Sequence, residues 1–262
     1  MLHRLEMIRG LLNTQYTNRI KKLDNQKPLR SSVLDRNHRH AKGEQACYLF
    51  NDKATKVWDF TRNGNVLDAA GASWVAGGMQ FDANGEYASL DNTNQVINSD
   101  IGSIIMQFKS FSVFNDSITR GIISHYTNGI GDFVLWKFSN NYLYFFLFDN
   151  VSSHYISFGS GSFPDWQTKN FLVAQWDREN VINGGLNMAL WLNGTYLTPI
   201  ASSGASGWNN YTVHSDIKIG NDAGDLNSDL NGTISQLYIY NRVLNETELK
   251  NIYKKPYAKF IR

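Results

Sequence analysis

The sequence predicts an all-β domain, a sandwich or barrel of short strands, behind a basic helical arm. Three observations carry this. From about Gln45 onward, short apolar or alternating runs are punctuated by Gly, Asn, Asp and Ser. Helical periodicity is almost missing there, and the 262 residues hold only four prolines. Ahead of that point both charge and period differ: residues 1–43 carry ten Lys/Arg against three Asp/Glu, a net +7, and the remainder 15 against 20, a net −5.

The arm comes first. In LHRLEMIRGLLNTQYTNRIKKLDN, Leu5, Ile8, Leu12, Tyr16, Ile20 and Leu23 recur at intervals of three or four, which predicts an amphipathic helix with a basic outer face. The intervals do not hold a heptad, so no coiled coil is expected. Residues 26–43, QKPLRSSVLDRNHRHAKG, have few large apolar side chains and no period, and read as an extended linker. The stripe finds no apolar partner within the arm itself. Leu5, Ile8, Leu12, Ile20 and Leu23 are therefore candidate partner-binding residues.

The body follows as GMQFDA, YASLD, SIIMQFKSFSVF, FVLWKF, YLYFFLF, FLVAQW, NMALWLNG and DIKIGN, each strand-length and bounded by turn residues. With 42% apolar and 13% aromatic residues it can bury a substantial core. At the end, NGTISQLYIYNRVLNETELKNIYKKPYA changes character midway. Ile234, Leu237, Ile239 and Tyr240 interleave with Ser235, Gln236 and Tyr238, as in a half-buried strand. A short helix then begins at the N-cap Asn245, with Glu246 and Glu248 in its first turn and a stripe of Leu249, Ile252 and Tyr253; Lys254, Lys255 and Pro256 end it.

YLFN (48–51), WDFTRNGN (58–65), GGMQFDANGEYASL (77–90), LWLNG (190–194), IKIGN (217–221) and LNGTISQLYIYNRVLNETELKNIY (230–253) together resemble a laminin-G-like domain of the concanavalin A-like lectin/glucanase superfamily, over about residues 46–258. The resemblance implies a jelly roll of two packed antiparallel sheets, one concave. It also implies that the last strand returns beside the first and that the short helix closes the sandwich. The expected domains are an arm, 1–43, and a body, 44–262.

This superfamily includes lectins, adhesion modules, glycosidases and structural domains, so function must be read from side chains. Glycoside hydrolysis by paired carboxylates needs two acids across the scissile bond. The body's glutamates are Glu44, Glu86, Glu179, Glu246 and Glu248, and the one close pair lies where helix capping explains it. The expectation is a body without enzymatic activity, with a hydrolase as an alternative.

A lectin needs rings that stack on sugars. In YLYFFLF, Tyr142, Tyr144 and Phe146 alternate with Leu143, Phe145 and Leu147, and the tyrosine set suits the exposed face. Trp191 alternates with Leu190 and Leu192, and Gln175 is placed outward on a neighbouring strand. Tyr142, Tyr144, Gln175 and Trp191 are the candidate ligand-binding residues; the alternative is that they pack the sandwich or its rim.

Many laminin-G-like domains bind calcium, and DAGDLNSDLNG gathers Asp222, Asp225, Asn227 and Asp229, hard oxygen ligands suited to Ca²⁺. A solvated Asx-rich loop explains them as well. No cofactor is required by the reading, and calcium is a candidate, with Asp225, Asn227 and Asp229 as its ligands. His38 and His40 lie in the linker and His125, His154 and His214 on separate segments, so no zinc pattern forms. The single cysteine, Cys47, reads as a buried structural thiol.

There is no run of eighteen apolar residues and no apolar secretory segment in the first thirty. The expectation that joins these features is a multi-copy viral structural protein, at a virion surface or outside cells. Its arm docks on a larger assembly such as a phage capsid or tail, and its lectin-like body faces a glycan. A secreted or cell-surface carbohydrate-binding module is the alternative. The arm's moderate charge and lack of interleaved aromatics argue against nucleic acid, and an anionic membrane ranks below a protein assembly.

Overall fold

The computed structural model describes residues 33–50, 55–61, 63–90, 96–127, 130–149, 151–163, 165–205, 208–209, 217–221 and 228–261. These fall into two compact units: Gly43–Leu244 forms one, and the stretch ending at Lys42 groups with the stretch beginning at Asn245 in the other.

The larger unit is a β-sandwich jelly roll of two antiparallel sheets. With strands numbered along the chain, one sheet runs in space from β3 (Lys56–Trp58) through β4 (Val66–Ala70), β7 (Tyr87–Leu90), β17 (Ile217–Ile219), β9 (Arg120–Thr127), β10 (Ile130–Lys137), β11 (Tyr142–Phe148) and β12 (Ser153–Gly159) to β16 (Ala201–Ser203). The other runs from β5 (Ser73–Val75) through β6 (Gly78–Phe81), β18 (Gly232–Tyr240), β8 (Ile101–Ser110), β13 (Asn170–Asp177) and β14 (Met188–Leu192) to β15 (Thr195–Tyr196). The last strand does lie beside the body's first: β2 (Glu44–Leu49) pairs with β18, Tyr238 opposite Cys47.

Alternation sets the core. Leu143, Phe145 and Leu147 of β11 point inward, and Phe133 and Phe145 reach Trp176 of the facing sheet with ring centroids 5.2 and 6.2 Å away. Trp176 lies over Gly102, where a Cβ would sit 2.3 Å from the indole, so only glycine allows that approach. The β14–β15 hairpin turns on Asn193 and Gly194, both at positive φ, the residue pair a two-residue turn favours.

Strand β18 departs from the half-buried pattern expected of it. Ile234, Leu237 and Ile239 belong to the core, but Gln236, Tyr238 and Tyr240 on the opposite face are also buried. The buried polar groups are satisfied in a chain: Tyr238 Oη donates to Gln236, whose amide donates to Gln107 Oε1.

In the smaller unit, β1 (Val33–Leu34) pairs antiparallel with β19 (Phe260–Ile261), and Arg39–Ala41 makes a 3₁₀ turn capped by His38. This corrects the linker reading for residues 33–42: local side-chain capping and a strand partner more than 200 residues away give it regular structure. Helix α1 (Glu246–Lys254) starts at the expected N-cap Asn245, and a capping box forms there, Asn245 and Glu248 each bonding the other's backbone N–H. Leu249 and Ile252 are buried, whereas Tyr253 is exposed and leaves the stripe. Helix α1 belongs to the smaller unit, with the segment that ends at Lys42. Leu5, Ile8, Leu12, Ile20 and Leu23 lie outside the described residues.

Candidate functional site

The outward face of β10, β11 and β12 carries an aromatic platform. Residues Tyr142, Tyr144, Phe146 and Phe148 alternate with the core set of β11. Register then brings neighbours to them. Trp136 of β10 stands opposite Tyr144, and Tyr155 of β12 stands opposite Phe146. Phe138 follows at the β10–β11 turn.

The rings form one connected surface. Tyr144 and Phe146 stack at 5.2 Å, and Phe146 and Phe148 at 5.7 Å. Trp136 meets Phe146 edge-on at 5.8 Å, and Tyr155 lies 5.2 Å from Phe146 and 6.0 Å from Tyr144. Phe138 and Tyr142 are the most open members, at 38% and 39% exposure. Beneath the rings, Val134 and Ser157 are buried although they share the outward face.

The platform's edge is held by polar bonds. Asn140 Nδ2 donates to Tyr144 Oη at 2.9 Å, and its Oδ1 accepts from Tyr142 N. Asn141, at positive φ, completes the turn and accepts from Ser117 N. The Trp136 Nε1 is buried and meets no acceptor among the described residues, an uncompensated donor amid the rings.

A buried ion cluster fixes the adjoining loop. Lys137 Nζ donates to Asp116 Oδ1 and to the Ile118 carbonyl, and Arg120 Nε and Nη2 donate to Asp116 Oδ2 at 3.0 and 2.8 Å. Burial pushes the Asp116 carboxyl up, but the donors from Lys137, Ile118 N and Arg120 outweigh it and hold it below the usual range. Burial pushes Lys137 down, opposed by Asp116. At the far end of β11, Asp149 is treated likewise. Burial opposes its ionisation, yet Asn209 N, Ser152 N, His154 and Val151 N all donate to it, and its carboxyl falls well below the ordinary range.

Away from the rings, the same face turns polar. One transverse row runs Lys56, Asp68, Ser89, Lys218, Ser124, Val134, Phe146, Tyr155 and Ser203, each directly opposite the next. The platform therefore continues into a strip of hydroxyls and charges without crossing a strand edge.

Two expected site residues lie elsewhere. Gln175 and Trp191 belong to the other sheet and are fully buried. Gln175 donates to Ser103 Oγ and the Leu244 carbonyl and accepts from Tyr196 Oη, so its amide is occupied by the fold. Trp191 packs edge-on against Phe171 at 5.8 Å. Alternation marks which residues share a face, but it does not mark whether that face meets water. Trp136, Phe138, Phe146, Phe148 and Tyr155 were the members missed; the i, i+2 spacing of FVLWKF and YLYFFLF was the available signal for the first four, and only strand register brings in Tyr155.

Of the calcium candidates, Asp225 and Asn227 lie outside the described residues. Asp229 is buried, and its Oδ2 accepts from Asn231 N at 2.8 Å, an Asx turn. Among the described residues no group of three or more His, Cys, Asp or Glu is arranged to hold a metal.

No protein-family model and no curated protein sequence matches the chain. Its fold is that of solved structures. A Trypanosoma rangeli sialidase in complex with sialic acid superposes with a TM-score of 0.62 at 14% identity, over 96% of this chain and 39% of that one. The botulinum neurotoxin serotype D binding domain superposes with a TM-score of 0.62 at 15% identity, over 81% of this chain and 51% of that one. The chain thus spans about two fifths of the sialidase's length, and at these identities what is shared is the fold.

The expectation of a body without enzymatic activity is corrected by this comparison. Sialidases, which are glycoside hydrolases, share the fold, and paired carboxylates are not required of every glycosidase, since a tyrosine can serve as nucleophile. A missing glutamate pair therefore does not exclude hydrolysis.

Proposed function

We propose that the chain is a carbohydrate-binding module whose ligand lies on the face formed by Trp136, Phe138, Tyr142, Tyr144, Phe146, Phe148 and Tyr155. The observation that carries this reading is the connected ring surface on the solvent side of a sheet, continuous with a polar strip. A pyranose presents an apolar C–H face to rings and a rim of hydroxyls to donors and acceptors, and this pairing suits both. The orphaned Trp136 Nε1 is a donor that a sugar hydroxyl can satisfy after a small ring movement. The similar structures, a sialidase holding sialic acid and a toxin binding domain, support the reading.

The likeness to laminin-G-like domains belongs to this proposal. So does a wider form, in which the arm, residues 1–43, anchors the body in many copies on a larger assembly such as a virion. A shallow face offers modest burial per site, and display in many copies raises avidity without new contacts.

A glycan array probed with monomeric and with particle-displayed protein tests the central reading. Binding that strengthens on display and falls with Tyr144→Ala is expected. Failure to bind any glycan in the displayed form overturns it.

A further inference from the structure

The polar half of the transverse row holds a cation in an unusual setting. Lys218 of β17 lies between the core residues Ile217 and Ile219, with its Nζ 4.5 Å from the ring centroid of Tyr87. The ring holds the ammonium near the sheet surface through its negative face. Lys218 enters no ion pair among the described residues. Asp68, the acid two places along the row, is engaged with Lys56 at 3.4 Å.

Along the row, Ser124 and Val134, both buried, stand between Lys218 and Phe146. Three strand spacings of about 4.8 Å separate Lys218 from Phe146, about 14 Å in all. An oligosaccharide stacked on Tyr144 and Phe146 and running along the row therefore brings a later sugar over Lys218. A neutral hydroxyl there would leave the cation without an ion-pair partner among the described residues, whereas an anionic substituent would supply one through a charge-assisted hydrogen bond. An ammonium is a point charge without the fork geometry of arginine, so carboxylate and sulfate both fit.

We infer that the site takes an acidic oligosaccharide, with a carboxylate or sulfate read by Lys218 while a second ring of the same ligand stacks on Tyr144 and Phe146. This rests on the carbohydrate reading above and names the ligand class of the same site.

The test uses the full chain on an array of matched neutral, carboxylated and sulfated oligosaccharides at low and high salt, with Lys218→Gln, Lys218→Arg and Tyr144→Ala and a melting curve for each. The wild type should prefer the acidic member of matched pairs by about tenfold, the scale of one hydrogen bond to a charged group. Salt should erode the preference. Lys218→Gln should abolish it, Lys218→Arg should retain it, and Tyr144→Ala should weaken neutral and acidic ligands together. Preference in the carboxylated arm alone, or the sulfated arm alone, supports the inference and identifies the anion. Equal binding of neutral and acidic partners, or an acidic preference that survives Lys218→Gln, overturns this inference and leaves the carbohydrate reading standing. Binding to no glycan overturns both.

Discussion

Tyr144 and Phe146 stack 5.2 Å apart with ring planes 16° from parallel, two residues along one strand and both facing outward. The stack extends the flat area offered by either ring alone, and Asn140 tethers its outer end. Tyr144→Ala should weaken glycan binding by about 1–3 kcal/mol, borrowing the scale of aromatic stacking on nucleobases. Tyr144→Phe, which keeps the ring and loses only the Asn140 bond, should retain most of the affinity. Titration calorimetry on both variants checks this; equal losses would assign the role to the hydroxyl.

Trp191 belongs to packing. Trp191→Ala should destabilise the protein by about 3–5 kcal/mol, as large-to-small changes of buried aromatics do. Glycan affinity per folded molecule should not change. Denaturant unfolding together with binding at a temperature where the variant remains folded separates the two effects, and a specific loss of affinity would return Trp191 to the site.

Asp116 neutralises two cations, and its partner Lys137 is completely buried. Asp116→Ala should cost about 3–5 kcal/mol, the cost of leaving a buried charge without its partner. Chemical denaturation measures it. A loss below about 1 kcal/mol would show that Lys137 reaches water or another anion.

Acid should act in two separate windows. His40 is buried, and burial, aided by His38, Arg39 and Lys259 and opposed by Glu248, pushes it down to about 4. The unfolded chain therefore binds this proton more readily, so stability is full above about pH 6.5 and declines as pH falls toward 4. His40→Gln should flatten that part of the curve. Asp149 has the depressed carboxyl, so its contribution persists above about pH 4 and is lost only on further acidification. Asp149→Asn should lower the melting temperature at neutral pH, and the gap from wild type should close below pH 4. Thermal melts across pH 3–8 check both; a His40→Gln curve as steep as wild type would remove His40 as the cause.

The division between sequence and tertiary structure follows from the range of the forces involved. Strand length, the capping box of Asn245 and Glu248, the Asn193–Gly194 turn and the shared face of Tyr142 and Tyr144 are local properties. Each depends on residues within a few positions, and each was legible in the sequence alone. Register across strands is not local. That Trp136 stands against Tyr144, Tyr155 against Phe146, and Lys218 in one row with Phe146 and Tyr155 depends on how distant segments pair. The fate of an alternating face is likewise a matter of what lies over it: the same period-two pattern leaves Tyr142 in solvent on one sheet and seals Gln175 and Trp191 on the other. Periodicity encodes the two sides of a strand, and only the packing of the whole chain chooses which side meets water.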